Sequence, residues 1–291
     1  MKVSIQGIGL LAAGLEGWRA GRAILAGTEP FAPVAVPDPE AALLPPNERR
    51  RSSDCVRWAV HVAQEAIAQS GLDPREVPTV FASSGGEMGV LDTLCRTLAM
   101  PERVISPTLF HQSVHNTAAG YWSIATTCQQ SSTALSCYDD SFAAGLLEAI
   151  TLVCMEQCPV LLVACDLAVS APLHEARPIT TGFAVALVLA PPSGSSLACT
   201  HLRLEEAQQA GASSLQHTAL ERVRLDNPAA RSLPLLRAIA TGGSQRVTLS
   251  LLDSQQLILD LDDAAIDQRR TTHISSPYRG DASDRSSGVV G

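Results

Sequence analysis

Residues 131–149 read SSTALSCYDDSFAAGLLEA, and the fold is decided by how this stretch divides. Its first part suits a strand, its last part has helical apolar spacing, and Tyr138-Asp139-Asp140 breaks one from the other. A strand that turns directly into a helix projects the turn side chain beyond the C-terminal edge of a sheet. There the free N–H groups of the helix N-terminus stabilise negative charge. A cysteine at such a turn is acidified and nucleophilic, whereas an aspartate is a helix cap. This turn offers Asp139, Asp140 and Ser141, with Cys137 still at the end of the strand. The residues by themselves favour helix caps.

Similar strand and helix units flank this one. KVSIQGIGLLAAG (residues 2–14) is a buried strand ending in glycine, and LEGWRAGRAILAG follows with helical spacing and Gly27 as its stop. Residues 28–54, rich in Pro and Ala, read as a long loop. SSDCVRWAVHVAQEAIAQSG is an amphipathic helix capped by Ser53 or Asp54 and closed by Gly71. VPTVFASSGGEMGVLDTL gives a strand, a Ser-Gly turn and a helix, and VISPTLFHQSVHNTAAGYWSIAT a loop running into a helix of small residues. PVLLVACDLAV and TTGFAVALVLAPP are fully apolar strands. Alternating strands and helices predict an α/β fold with a mostly parallel mixed sheet covered by helices.

Past Pro191-Pro192 the character changes, with a strand and turn, a helix over NPAARSLPLLRAIATGG and a hairpin over QRVTLSLLDSQQLILDLDD. This divides the chain into a domain over 1–192, a short extension over 193–263 packed on the same core, and a disordered tail over 264–291 of low apolar content. ASSGGEMG lacks both the Lys-Ser/Thr of a phosphate loop and the spaced glycines of a dinucleotide fingerprint.

With 291 residues, 46% hydrophobic, the chain can build a substantial core. A net charge of −8 opposes nucleic-acid binding, which needs clustered Lys and Arg. The basic run Arg49-Arg50-Arg51 reads as a solvated loop edge, with an acidic partner as the alternative. Apolar runs fall short of the roughly 20 residues that span a bilayer, and the N-terminus has too thin a charged region for a signal peptide. Eight cysteines in a chain of this length read as free thiols of a cytoplasmic protein. The pairs His111/His115 and Cys154/Cys158 have helical spacing but lack third and fourth ligands, so no metal and no cofactor is expected.

The order of the segments resembles the N-terminal half of the beta-ketoacyl synthases, over about residues 1–190. The resemblance rests on KVSIQGIGLLAAGLEGWRAGRAILAGTEPF, CVRWAVHVAQEAIAQSGLDP, VFASSGGEMG, SPTLFHQSVHNTAAGYWSIAT and RPITTGFAVALVLA. The last lacks the Gly-Glu-Gly-Ala-Gly of catalytic members. SVHNTAAGYWSIAT and SFAAGLLEA look most like the chain length factors of aryl polyene clusters. The resemblance implies a thiolase-like fold and, counting from Asn116, places the family nucleophile position at Asp139, with Cys137 as the fallback. An aspartate cannot form the thioester that takes an acyl chain from a carrier protein. Catalytic members also carry two histidines and a lysine in their C-terminal half. Here only His201, His217 and His273 follow residue 200, and no Lys follows Lys2.

The resemblance therefore implies a non-condensing subunit that pairs with a catalytic ketosynthase and an acyl carrier protein and limits chain length. Asn116, Tyr121, Trp122, Cys137, Tyr138, Asp140, Ser141 and Phe142 are its candidates for an acyl tunnel or interface, with packed core as the competing reading of the two α-helical aromatics. The alternative is an active ketosynthase or acyltransferase using Cys137 or Cys128.

Overall fold

The computed structural model describes residues 1–192, 197–206 and 211–262. The expected tail over 264–291 lies outside the described residues. In chain order the elements are β1 (Lys2–Ala12), β2 (Leu15–Glu16), α1 (Trp18–Leu25), α2 (Pro46–Arg51), α3 (Asp54–Ser70), β3 (Thr79–Ala82), α4 (Met88–Ala99), α5 (Pro107–Gln112) and α6 (Thr117–Thr126). There follow β4 (Ser132–Leu135), α7 (Ser141–Glu156), β5 (Val160–Asp166), β6 (Phe183–Ala190), β7 (Ala198–Glu206), α8 (Thr218–Asp226), α9 (Leu233–Thr241), β8 (Gln245–Leu251) and β9 (Gln255–Asp262).

One sheet runs in the order β4-β3-β5-β6-β1-β7-β9-β8, with β2 paired to β1. It is mixed. The parallel ladders are those of β3 with β4 and β5, which the crossovers through α4–α6 and α7 join. The ladders β5–β6, β6–β1, β1–β7, β7–β9 and β9–β8 are antiparallel, so parallel pairing is confined to the third of the sheet that carries the turn at residues 138–140. Strand and helix alternation does not reveal this, because a buried antiparallel strand such as FAVALVLA is as uniformly apolar as a parallel one.

Helices cover both faces. On one, Phe142, Leu146, Ile150 and Val153 of α7 pack with α9 against Val80, Leu162, Val185 and Leu187. On the other, Val56, Ala59, Val60, Ala63 and Ile67 of α3 pack with Tyr121 and Trp122 of α6 against Phe81, Leu161, Val163 and Val188. Each fully buried Leu, Ile or Phe is worth about 2 kcal/mol relative to exposure. The layers lie close because small residues sit where helix meets sheet. A Cβ at Gly9 would stand 1.9 Å from the carbonyl oxygen of Val62 on α3. One at Gly145 would stand 2.9 Å from the Cβ of Ala82 on β3, which fixes how closely α7 lies under the turn.

α3 follows its sequence signals, with the Ser53 hydroxyl accepting from the Val56 N–H and Gly71 closing the helix at φ 72°. α2 falls inside the segment expected to be loop, where the Arg49 guanidinium donates to the carbonyls of Ala42 and Leu44. His111 lies on α5 but His115 beyond it, and Cys154 lies on α7 but Cys158 beyond it, so neither pair shares a helix face. No group of three or more His, Cys, Asp or Glu placed to hold a metal ion occurs among the described residues.

Candidate functional site

β4 ends at Leu135, and the chain then enters α7 through Ser136, Cys137 and a single 3-10 turn over Tyr138–Asp140. Cys137 thus stands beyond the strand rather than at its end. The sharpest backbone position is Tyr138, at φ 50° in the left-handed region. A bulky residue there costs on the order of 1–2 kcal/mol and needs its surroundings to hold it. Ser141, 1% exposed, does so: its hydroxyl donates to the Tyr138 carbonyl at 2.7 Å and accepts from the Cys137 N–H at 2.9 Å.

The aspartates do other work than the capping expected of them, since neither makes a side-chain cap hydrogen bond. Asp139 Oδ1 lies 2.6 Å from Arg177 Nη1, and Oδ2 lies 3.0 Å from Arg231 Nη2. Both carboxylate oxygens are therefore held by cations. The same Arg177 guanidinium lies over the exposed Tyr138 ring, its central carbon 3.9 Å from the ring centroid. Asp140 is half-buried, and loss of solvation raises its carboxyl above the ordinary range while Arg231 and the Leu252 N–H pull it partly back.

The two candidate thiols are poorly placed for nucleophilic work. Burial first, and the Asp140 charge second, raise the Cys137 thiol above its ordinary value, which disfavours the thiolate at neutral pH. Cys128 is buried and its thiol donates to the Val77 carbonyl at 3.6 Å, at the N-terminal edge of the parallel strands, whereas the turn lies at their C-terminal edge. Of the C-terminal histidines, His201 is exposed on β7 and His217 accepts from the Leu220 N–H at the start of α8, so neither joins the turn. His273 lies outside the described residues.

The remaining sequence candidates separate. Asn116 is exposed ahead of α6, Tyr121 and Trp122 are core residues of the α3 layer, and Phe142 is a core residue of the opposite α7 layer. The sheet stands between these aromatics.

Sequence reasoning missed the partners that shape the site. Arg177, in an irregular segment, and Arg231, in the 3-10 turn leading into α9, are isolated arginines that only the fold brings to Asp139. Asp166, 4% exposed at the end of β5, is a further centre: its Oδ1 accepts from Ser83 Oγ (3.0 Å), Ser84 N (2.8 Å) and Ser84 Oγ (2.8 Å). Burial raises its carboxyl, and these hydrogen bonds with the nearby Arg177 charge oppose the rise. The Ser136 hydroxyl donates to the Ser84 carbonyl at 3.0 Å, tying this loop to the turn. The signal was legible as an acid closing an otherwise apolar strand opposite the Ser-Ser of ASSGGEMG.

The model of the beta-ketoacyl synthase N-terminal domain family matches residues 26–250. No curated protein matches the sequence. Among solved structures, the chain resembles one in the complex of the ketosynthase ApeO with its chain length factor ApeC from Xenorhabdus doucetiae. The two are 25% identical with a TM-score of 0.66, over 89% of this chain and 99% of that one. It also resembles a chain of the ishigamide ketosynthase/chain length factor, 13% identical with a TM-score of 0.67, over 90% of this chain and 99% of that one. A beta-ketoacyl synthase from Burkholderia phymatum STM815 is 15% identical with a TM-score of 0.55, over 78% of this chain and 70% of that one. The last two likenesses concern the fold alone, which is the thiolase-like ketosynthase fold.

Proposed function

The chain belongs to the beta-ketoacyl synthase N-terminal domain family, and from that premise we propose that it is a non-condensing, chain length factor type subunit. It pairs with an active ketosynthase in the assembly of polyene or polyketide-like chains on an acyl carrier protein, of the aryl polyene kind to which its sequence motifs are most similar. The observation that carries this reading is the turn itself. Where a condensing enzyme needs a free thiolate, Tyr138 lies under a guanidinium and Asp139 is held on both oxygens by Arg177 and Arg231. A carboxylate so paired is a structural anion, and thioester exchange has no nucleophile there.

The coverage of the matched structures supports the reading. This chain covers 99% of the chains it matches in the two ketosynthase and chain length factor assemblies, but 70% of the Burkholderia synthase. The matched members of those assemblies are thus spanned almost from end to end. Pairing is supported by β4, which bonds to β3 on one side and forms one edge of the sheet among the described residues. Beside it, the segment carrying α4–α6 exposes Leu98, Met100, Val104, Phe110, Val114 and Ile124, an apolar surface suited to a subunit interface. An acidic carrier is supported by Arg50 and Arg51, both exposed at the end of α2, where neither forms an ion pair among the described residues.

The raised Cys137 thiol and the remote Cys128 weigh against an independent acyltransferase. The test is co-expression with a ketosynthase that has an intact Cys-His-His set, followed by incubation with an acylated carrier protein and intact-mass measurement. We expect a stable heterodimer with the acyl adduct on the partner alone. A monomeric chain indifferent to the partner, or an adduct on this chain that disappears in Cys137→Ala, overturns the proposal.

A further inference from the structure

A second site lies apart from the Tyr138–Asp139 turn, in a cavity of about 380 Å³ between the start of α3, the loop from β3 to α4, α5 and the exit of β5. Three of its lining residues are acids, Asp54, Glu87 and Asp166, and none is a lysine, arginine or histidine. The rest of the wall is largely apolar, with Met88, Val90, Leu109, Leu167 and Ile179.

Glu87 is the group that needs explaining. It is 8% exposed, and burying a carboxylate costs several kcal/mol unless it is fully partnered. Its Oε1 accepts from Ser53 Oγ at 2.6 Å. Its Oε2 accepts from none of the described residues and is not sealed from solvent; Glu87 lines both this cavity and a smaller one shared with Cys55, Ser83 and His115. Although Glu87 precedes the first turn of α4, its side chain makes no cap hydrogen bond there, so helix capping does not account for it. Deeper in the same wall, Asp166 keeps Oδ2 buried without a partner. That oxygen is sealed from solvent and the Arg177 charge lies near its carboxylate, so Glu87 is the lining acid with an oxygen left to offer.

We infer that this cavity binds a small organic cation, an ammonium or guanidinium on an apolar stem, with Glu87 Oε2 as its counter-ion. The stem lies against Val90, Leu109 and Ile179, and the cationic head is drawn to the Glu87 end, where Asp54 adds negative potential. A bare metal ion is a poor fit, since the acids do not converge as a group of three ligands among the described residues. A purely apolar chain fits poorly too, because it would leave the carboxylates desolvated and unpaired. The inference does not depend on the subunit role proposed above, since it concerns the isolated chain and needs no partner.

The experiment is calorimetric titration of the full chain with n-hexylammonium chloride and, separately, with 1-hexanol, which matches the stem but carries no charge. Saturable 1:1 binding of the amine, at least tenfold tighter than the alcohol and at least tenfold weaker in Glu87→Gln, is expected. Binding should also strengthen from pH 6 to pH 8 as Glu87, faced by Asp54, Asp166, the Cys55 thiol and the His115 ring, becomes ionised. Glu87→Asp, which keeps the charge, should retain more of the affinity than Glu87→Gln and guards against loss through misfolding. Equal binding of amine and alcohol, no amine binding, or undiminished affinity in a folded Glu87→Gln chain each overturns the inference. None of these outcomes bears on pairing with a ketosynthase.

Discussion

Arg177 Nη1 stands 2.6 Å from Asp139 Oδ1 while the same guanidinium covers the ring of Tyr138. One cation therefore holds both residues at the tip of the turn. The Arg177 side chain is only 12% exposed, and its Nε and Nη2 have no hydrogen-bond partner among the described residues. Removing Asp139 would leave this arginine and Arg231 without their anion. Breaking a pair that is only partly buried costs less than the 3–5 kcal/mol of a fully buried one. Asp139→Asn is expected to lose about 2 kcal/mol in urea denaturation, with Arg177→Ala losing a similar amount. The double variant should lose clearly less than the sum, because each single change strands the same partner. Additive losses would mean that the two side chains are near each other without being coupled.

The close approach of α3 to β1 gives a sharper stability test. A methyl group at Gly9 would overlap the Val62 carbonyl, which is backbone and cannot swing aside. Overpacking of this kind typically costs 1–3 kcal/mol or somewhat more. Gly9→Ala should lower the urea midpoint by an amount near the upper end of that range. Gly27→Ala is the control: no atom lies within 4 Å of a Cβ there, so its cost, set by φ 77°, should be the smaller of the two. Equal losses would place the constraint in backbone conformation rather than in helix-to-sheet distance.

Most of the framework was legible because it depends on local rules. Ser53 and Gly71 bracket α3 where capping chemistry puts them, and the break at Tyr138–Asp140 follows from helical spacing starting at Ser141. The direction of strand β6 was not legible, because uniform burial erases the alternation that distinguishes antiparallel strands. α2 was missed inside a proline-rich segment and α8 inside a polar one, their helicity being supported by side-chain bonds such as Arg49 to the carbonyls of Ala42 and Leu44 and His217 to the Leu220 N–H. The site was half legible. Asp139 was found by counting along a motif, but its partners Arg177 and Arg231 lie 38 and 92 positions away, and no local pattern announces them. The spread of Tyr121, Trp122 and Phe142 to opposite faces of the sheet was equally invisible, since proximity in sequence says nothing about which layer a helix joins.

Glu87 makes stability depend on pH in a defined direction. Burial raises its carboxyl from the ordinary 4.5 to about 7, a rise that the Ser53 hydrogen bond only partly opposes. Between those values the folded chain holds a proton that the unfolded chain has lost. Its contribution is thus fully present below about pH 4.5 and is lost as pH rises to 7, by about 3 kcal/mol in all. Asp140 and Asp166 shift the same way, so the informative quantity is the difference between wild type and Glu87→Gln. Urea midpoints at pH 5, 6, 7 and 8 should show wild type losing stability relative to the variant across this window. Parallel curves would show that Glu87 ionises in the folded chain as readily as in water.

The three arginines ending α2 allow the carrier interaction to be separated from subunit pairing. Arg49 is occupied by backbone carbonyls, whereas Arg50 reaches only the Asn47 side chain and Arg51 contributes its backbone carbonyl to Gln112. The exposed cations thus lack anions among the described residues on a chain of net charge −8, and in the proposed reading an acidic carrier would supply them. Replacing Arg50 and Arg51 together by alanine should weaken binding of an acyl carrier protein to the heterodimer about tenfold at low salt. The difference from wild type should shrink as ionic strength rises, because such exposed charges are screened over roughly 10 Å at 0.1 M. Heterodimer formation should be unchanged, since the proposed pairing runs through β4 and the apolar surface of α4–α6. If the double variant binds the carrier as wild type does at every salt concentration, these arginines serve only as a solvated helix end. If it loses the ketosynthase as well, α2 belongs to the subunit interface instead.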